Sequence, residues 1–147
     1  MAAYTIKPLV TATAINTGGR NGHSETTDHS VSVDLSVRKE MGGPGLPNTT
    51  TPEHLFAAGY AACFAGALEF VASQHKMNVA GTVVTCSTSV GPREGGGFGI
   101  AVKMNVKVPT LPVAEARKLV EEAHEKICPY SHATRGNIDF ALEVEGA

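Results

Sequence analysis

The chain is short of the features that mark several large functional classes. It has three cysteines, Cys63, Cys86 and Cys128, and no Cys-x-x-Cys pair, which fits neither a secreted disulfide scaffold nor a four-ligand zinc site. Its twelve Lys and Arg are scattered and are outnumbered by fourteen Asp and Glu, for a formal net charge of −2. No basic stripe therefore argues for nucleic acid or an anionic membrane surface as a partner. The start, Met1-Ala2-Ala3-Tyr4-Thr5-Ile6-Lys7, lacks the charged-then-apolar layout of a signal peptide, so a reducing cytoplasmic compartment is the expectation. No internal repeat, linker or low-complexity tract divides the sequence, and 147 residues with 42% hydrophobic content suit a single domain over 1–147 with a real core.

One apolar run is long enough to raise a membrane question. Residues 55–71 are rich in Ala and Gly, include Glu69, and pass into Ser73-Gln74-His75-Lys76, whereas a span wants about 20 predominantly apolar residues. The run reads better as a core helix that is apolar on nearly every face. Such a helix cannot be covered by one sheet and one amphipathic helix alone, so a homodimer that buries its remaining side is expected.

Around that helix the pattern alternates. Residues 4–15 are rich in Thr, Val and Ile, residues 31–37 alternate with period two, and Gly18-Gly19 and Asn21-Gly22 supply turns between them, which predicts a small antiparallel meander. After the loop 42–47, rich in Gly and Pro, Thr51-Pro52-Glu53 carries an N-cap, a first-position proline and a first-turn acid, and the first helix is expected over 52–75. Residues 81–90 and 98–108 alternate again about the hairpin loop Pro92-Arg93-Glu94-Gly95-Gly96-Gly97. Val113, Ala116, Leu119, Val120, Ala123 and Ile127 repeat at helical spacing, so a second helix should end near Cys128 with Pro129 closing it. A last strand is expected over 138–144. The order β-β-β-α-β-β-α-β is an α+β fold.

Two cysteines in different settings carry the chemical interest. Cys63 lies inside the apolar helix, where a thiol is ordinarily inert because burial disfavours the thiolate. At a pKa of about 8.5 only a few per cent is ionised at neutral pH, and a fall to about 5.5 requires roughly 4 kcal/mol of differential stabilisation. A guanidinium supplies that best because it stays protonated when desolvated. Arg20, set among glycines in Thr17-Gly18-Gly19-Arg20-Asn21-Gly22, is the candidate, and Glu53, about three turns before Cys63, is placed to hold it. Cys128, ahead of Pro129, has the position of a resolving thiol on a segment that moves, able to condense with a sulfenic acid formed at Cys63. Each has a plainer reading: small buried hydrophobe for Cys63, solvated turn residue for Arg20, dipole-complementing acid for Glu53, helix cap for Cys128. Cys86 reads as structural. His124, four residues before Cys128, offers a less favoured alternative, a Cys63–His124–Cys128 metal set. Nothing orients His54 or His132 as a general base.

Two segments, Pro52-Glu53-His54-Leu55-Phe56-Ala57-Ala58-Gly59-Tyr60-Ala61-Ala62-Cys63-Phe64 and Cys128-Pro129-Tyr130-Ser131-His132-Ala133-Thr134-Arg135-Gly136-Asn137, resemble the signature segments of the organic hydroperoxide resistance (Ohr) branch of the OsmC/Ohr family, and Thr17-Gly18-Gly19-Arg20 resembles its arginine loop. The resemblance implies an OsmC-like fold in an intertwined homodimer, with a long apolar central helix packed on antiparallel sheets. It implies a thiol peroxidase that reduces alkyl and fatty-acid hydroperoxides to alcohols, with Cys63 as peroxidatic thiolate, Cys128 as resolving thiol, and Arg20 and Glu53 as the activating polar network. It further implies recycling by a lipoylated protein or another dithiol, with no metal or other cofactor. His54 stands where the family pattern leads one to expect Gln, and Cys86 is an addition. The alternatives left open are a small hydrophobic-ligand binding protein with incidental cysteines, or a thiol hydrolase.

Overall fold

The computed structural model describes residues 4–147; the first three residues, which enter the reading of the amino terminus, lie outside it. The chain divides into two compact units, one ending at Pro52 and the other running from Glu53 to Ala147.

In the amino-terminal unit the expected meander is present in shortened form. Strands β1 (Ala14–Thr17), β2 (His23–Thr26) and β3 (Ser32–Asp34) pair antiparallel in that order, with Ala14 opposite Thr26 and His23 opposite Asp34. Only the end of the strand expected over 4–15 is realised. Residues 4–13 have no regular structure, and Ile6, Leu9 and Val10 are 74%, 93% and 91% exposed. A β-rich composition makes a strand only where a ladder partner satisfies its backbone groups. In this unit β1 has β2 as that partner, and the residues before it have none among the described strands.

The second unit is built on helix α1 (Pro52–Gln74), followed by the hairpin β4 (Val83–Pro92) and β5 (Phe98–Lys107). The hairpin turn closes with the Arg93 amide donating to the Gly97 carbonyl at 3.0 Å. Gly95, Gly96 and Gly97 all take positive φ there, at 87°, 100° and 73°, a conformation in which side chains are strained. Strand β6 (Asp139–Glu145) pairs with the other edge of β5, from Ala101 opposite Asp139 to Lys107 opposite Glu145. That last pairing is parallel, a departure from the all-antiparallel sheets expected. A parallel neighbour requires a crossover, and helices α2 (Val113–Glu122) and α3 (Pro129–Thr134) lie in the chain between β5 and β6.

The core lies among these elements. Val102, Met104 and Val106 of β5, with Val108 just beyond it, point inward at period two. They cluster with Tyr60, Phe64, Leu68 and Val71 of α1 and with Ala116, Leu119 and Val120 of α2. Burying each large side chain is worth about 1.5–3 kcal/mol, which is what fixes the rotation of a helix whose sequence is apolar all round. By length and composition α1 is long and apolar enough to cross a membrane, but here one face packs into the core. Its opposite stripe, His54, Ala58, Ala62, Gly66 and Phe70, is exposed.

The second helix differs from expectation at a point that matters for the site. It gives way at Ala123–Ile127 to a single wide π-helical turn, Cys128 is extended (φ −66°, ψ 118°), and Pro129 starts α3 instead of ending α2. Proline at the first helical position sacrifices only an amide that the helix leaves unpaired anyway. The same residue can therefore punctuate either end of a helix, and its position alone does not say which.

Candidate active site

Two thiols meet in the second unit. Cys63, at the start of the fourth turn of α1, is half-buried. Cys128, at the junction between the π-turn and α3, is fully buried. The Cys128 Sγ lies 3.7 Å from the Cys63 Sγ and donates its hydrogen toward it. Sulfurs 65 residues apart in sequence are thus in contact, and approach to about 2.05 Å would join them.

An aromatic cluster belongs to the same core as the pair. Phe56, Tyr60 and Tyr130 pack within 5.6–6.0 Å of one another between ring centres. Tyr60 also meets Phe140 at 6.0 Å, and His124 stacks on Phe140 at 4.6 Å and 7°. Beneath the rings runs a polar chain: the Tyr60 hydroxyl is 2.9 Å from Ser131 Oγ and 3.1 Å from Thr134 Oγ1, and Ser131 Oγ is 2.9 Å from His124 Nδ1. Burial raises the Tyr60 pKa against the pull of its two hydroxyl partners. Burial also lowers the pKa of His124, helped by the nearby charge of Arg135, which favours the neutral imidazole.

The electrostatics of Cys63 depart from a simple activated thiolate. Burial pushes its thiol up, the Tyr130 backbone amide pulls it down by donating to the sulfur, and the neighbouring Cys128 thiol raises it again. The net direction is upward, so these influences by themselves hold Cys63 protonated at neutral pH. Cys86 on β4, half-buried with its sulfur 3.9 Å from Thr88 Oγ1, is likewise pushed up by burial, in keeping with a structural role.

A scan against family models matches residues 43–143 to the OsmC-like protein family. The chain is 49% identical to the organic hydroperoxide resistance protein of Xanthomonas axonopodis pv. citri, over 94% of this chain and 96% of that one. The chain belongs to the OsmC/Ohr family, in its Ohr branch. Among solved structures, an organic hydroperoxide resistance protein from Elizabethkingia anophelis superposes with a TM-score of 0.90 at 41% identity, covering 97% of this chain and 100% of that one. One from Legionella pneumophila gives 0.88 at 44% identity, covering 95% and 99%. The α+β fold is therefore the OsmC-like fold.

Of the four residues singled out in this OsmC/Ohr chain, Cys63 and Cys128 come together. Glu53 is half-buried in the first turn of α1, and Arg20 lies in the other unit. There it occupies a 3-10 turn, Gly19–Asn21, entered through Gly18 and Gly19 at φ 84° and 64°. The turn is fastened by two side chains, Asn21, which the sequence marked as a turn residue, and Asn16, which sequence reading passed over. Asn16 accepts from the Gly19 amide and donates to its carbonyl at 2.9 and 3.2 Å, and Asn21 accepts from the Val37 amide at 2.9 Å. A short Asx side chain bonded to nearby backbone, as Asn16 is to Gly19, is a recognisable turn signal, whereas the Asn21 bond to Val37 spans sixteen residues and exists only in the fold. The Cys63–His124–Cys128 set is not assembled in this structure: His124 reaches Ser131 and stacks on Phe140, and no three His, Cys, Asp or Glu side chains among the described residues gather in one place. The four-residue spacing that suggested it belongs to a regular α-helix, and a π-turn occupies the interval.

Tyr60, Ser131, Thr134 and Tyr130 were also missed as parts of the site, because hydroxyl residues bond only to what the fold brings near. Gly59 was available as a signal. A Cβ there would lie 3.0 Å from the Tyr130 hydroxyl and 3.4 Å from its ring, so the bare helix surface one turn before Cys63 is what the Tyr130 ring rests on. We expect Gly59→Ala to stabilise the protein by up to about 1 kcal/mol, the usual gain for this change inside a helix, because Tyr130 is 38% exposed and its tip has room to shift. A urea-unfolding midpoint checks this, and a fall would show that the ring is held rigidly.

Proposed function

We propose that the protein, acting as one OsmC/Ohr-like domain in the cytoplasm, is a thiol peroxidase that reduces organic hydroperoxides to alcohols. The observation that carries this reading is the 3.7 Å contact between the half-buried Cys63 and the buried Cys128. In the first step the Cys63 thiolate attacks one peroxide oxygen, the O–O bond breaks, the sulfur is oxidised to sulfenic acid, and the departing alkoxide takes a proton to become the alcohol. In the second step the Cys128 sulfur displaces hydroxide from that sulfenic acid, giving a disulfide and water. A dithiol such as a dihydrolipoyl group then reduces the disulfide by exchange through a mixed intermediate. The names of the relatives support organic hydroperoxides as the substrate class. So does the aromatic and aliphatic core that the pair shares, since each methylene buried from an alkyl chain contributes about 0.8 kcal/mol that hydrogen peroxide cannot gain.

In this reading Arg20, oriented by Glu53, supplies the positive charge that the thiolate needs. The upward push of burial on Cys63 supports a requirement for such a charge. Turnover of cumene hydroperoxide with dihydrolipoamide as reductant tests the proposal, and a protein that binds the peroxide without consuming it would refute it. A homodimer is part of the same proposal, supported by the uncovered stripe of α1. A charge there should be excluded from an apolar interface, so Ala62→Glu is expected to elute as a monomer in size exclusion with light scattering while the wild type elutes as a dimer.

A further inference from the structure

The polar chain beneath the aromatic rings does something that an apolar core would not. Its three hydroxyls are inside the protein: Tyr60 and Ser131 are 0% exposed and Thr134 is 6% exposed. The chain contains five contacts: Tyr60 with Ser131, Tyr60 with Thr134, Ser131 with His124, and the Thr134 hydroxyl with the Tyr130 carbonyl at 2.9 Å and the Ser131 carbonyl at 3.4 Å, the last two sharing one hydrogen. With that shared hydrogen counted once the contacts need four, and the three hydroxyls own three. The fourth must come from His124, so its Nδ1 carries a proton and donates to Ser131. With that tautomer no buried group in the chain is left unsatisfied, the condition under which such a network rigidifies its surroundings.

The chain is anchored at places that bracket the second thiol. His124 precedes Cys128 by four residues, and the carbonyl of His124 accepts from Arg135 at 2.8 Å. Ser131 and Thr134 follow Cys128 by three and six residues. Tyr60 sits on α1, three residues before Cys63. Ser131 Oγ thus ties the segment before Cys128 to the segment after it, and both to the turn of α1 that carries Cys63.

We propose that His124, Ser131, Tyr60 and Thr134 are positioning residues whose network holds the Cys128 sulfur in line with Cys63 and so sets the rate of disulfide closure. This rests on the peroxidase reading for its place in the cycle. None of the four exchanges atoms in the reaction: the sulfenic oxygen leaves Cys63 as water with the Cys128 thiol hydrogen, and the S–S bond takes its place. Peroxide attack on Cys63 needs no second thiol and is largely insensitive to the network.

Ser131→Ala, Thr134→Val and the conservative Thr134→Ser separate the two steps. With one equivalent of cumene hydroperoxide, loss of the Cys63 thiol in Ser131→Ala and Thr134→Val should stay within about twofold of wild type. Disulfide closure, followed by quenched mass spectrometry, should slow about tenfold, the scale on which a misaligned reacting group loses rate. Sulfinic acid at Cys63 should accumulate in excess peroxide, because the unresolved sulfenic acid is oxidised again. Thr134→Ser keeps the hydroxyl and should close as wild type does. Closure within twofold of wild type in both disrupting variants overturns the inference, as does an equal slowing of both steps with a lowered melting temperature. Closure driven by diamide in place of peroxide gives the same comparison without peroxidase chemistry, so a failure of the network is distinguishable from a failure of the peroxidase reading.

Discussion

Cys63→Ser is expected to consume cumene hydroperoxide at least about a thousandfold more slowly than the wild type, because a serine hydroxyl at neutral pH supplies almost no anion and attacks an O–O bond poorly. The side chain is nearly the same size and sits half-buried at the edge of the core, packed against it. The fold should therefore survive, and an unchanged melting temperature would attribute the loss to chemistry. Cys128→Ser gives the complementary result. Its sulfenic acid should still form once, and dithiols should reduce it without an intramolecular disulfide ever appearing. Full turnover by Cys63→Ser would end the peroxidase reading outright.

Arg20→Ala carries the second large effect, and its sign follows from the direction in which burial moves Cys63. The thiol is pushed up by burial and by Cys128, with the Tyr130 amide opposing. The reactive species is the thiolate, so the rate of peroxide reduction rises with pH through the Cys63 pKa and levels off above it. If Arg20 stabilises the thiolate, the wild-type inflection lies on the acid side of an ordinary thiol. Removing the guanidinium leaves burial unopposed by that charge and moves the inflection toward alkaline pH. Each pH unit of displacement costs about tenfold in thiolate fraction on the acid side, so a loss of about 10–100-fold at neutral pH should shrink as the pH is raised. Stopped-flow oxidation between pH 5 and 10, run on both proteins, measures this. A loss that is the same at every pH would assign Arg20 to binding or to stabilising the leaving alkoxide instead.

The same burial appears in stability with its own sign. A thiol whose folded pKa lies above its unfolded value favours the folded state while it remains protonated, and that advantage is lost as the pH rises through the raised value. Cys86 moves in this direction, so alkaline conditions weaken the fold through the group that they ionise.

How much of this was legible beforehand differs from element to element. The limits of α1 were readable within one residue, since Thr51-Pro52-Glu53 begins a helix by local rules and the apolar run leaves a long helix as its natural form. The alternation of β5 gave its buried face, with Val102, Met104 and Val106 inside. Phe98, on the same parity, is 72% exposed, because period two says which side a residue takes and not whether anything covers it. Pro129 was read as a stop and is a start. Residues 4–13 were read as a strand and have no ladder partner in their unit, since pairing is a property of two segments and composition belongs to one.

What the sequence determined by itself was therefore local and chemical: helix and strand periods, the turn glycines, the absence of zinc and disulfide spacings, and the two thiols whose surrounding motifs resemble the Ohr branch. Tertiary structure decided everything that depends on distance between remote residues. It brought the Cys63 and Cys128 sulfurs to 3.7 Å, made β6 parallel to β5, and joined Tyr60 to Ser131 across 71 positions. The reason is physical. Propensity and capping act over a few residues, whereas a hydrogen bond or a sulfur contact across the core exists only after burial has fixed the helix rotation, and many sequences with the same periods could have fixed it otherwise.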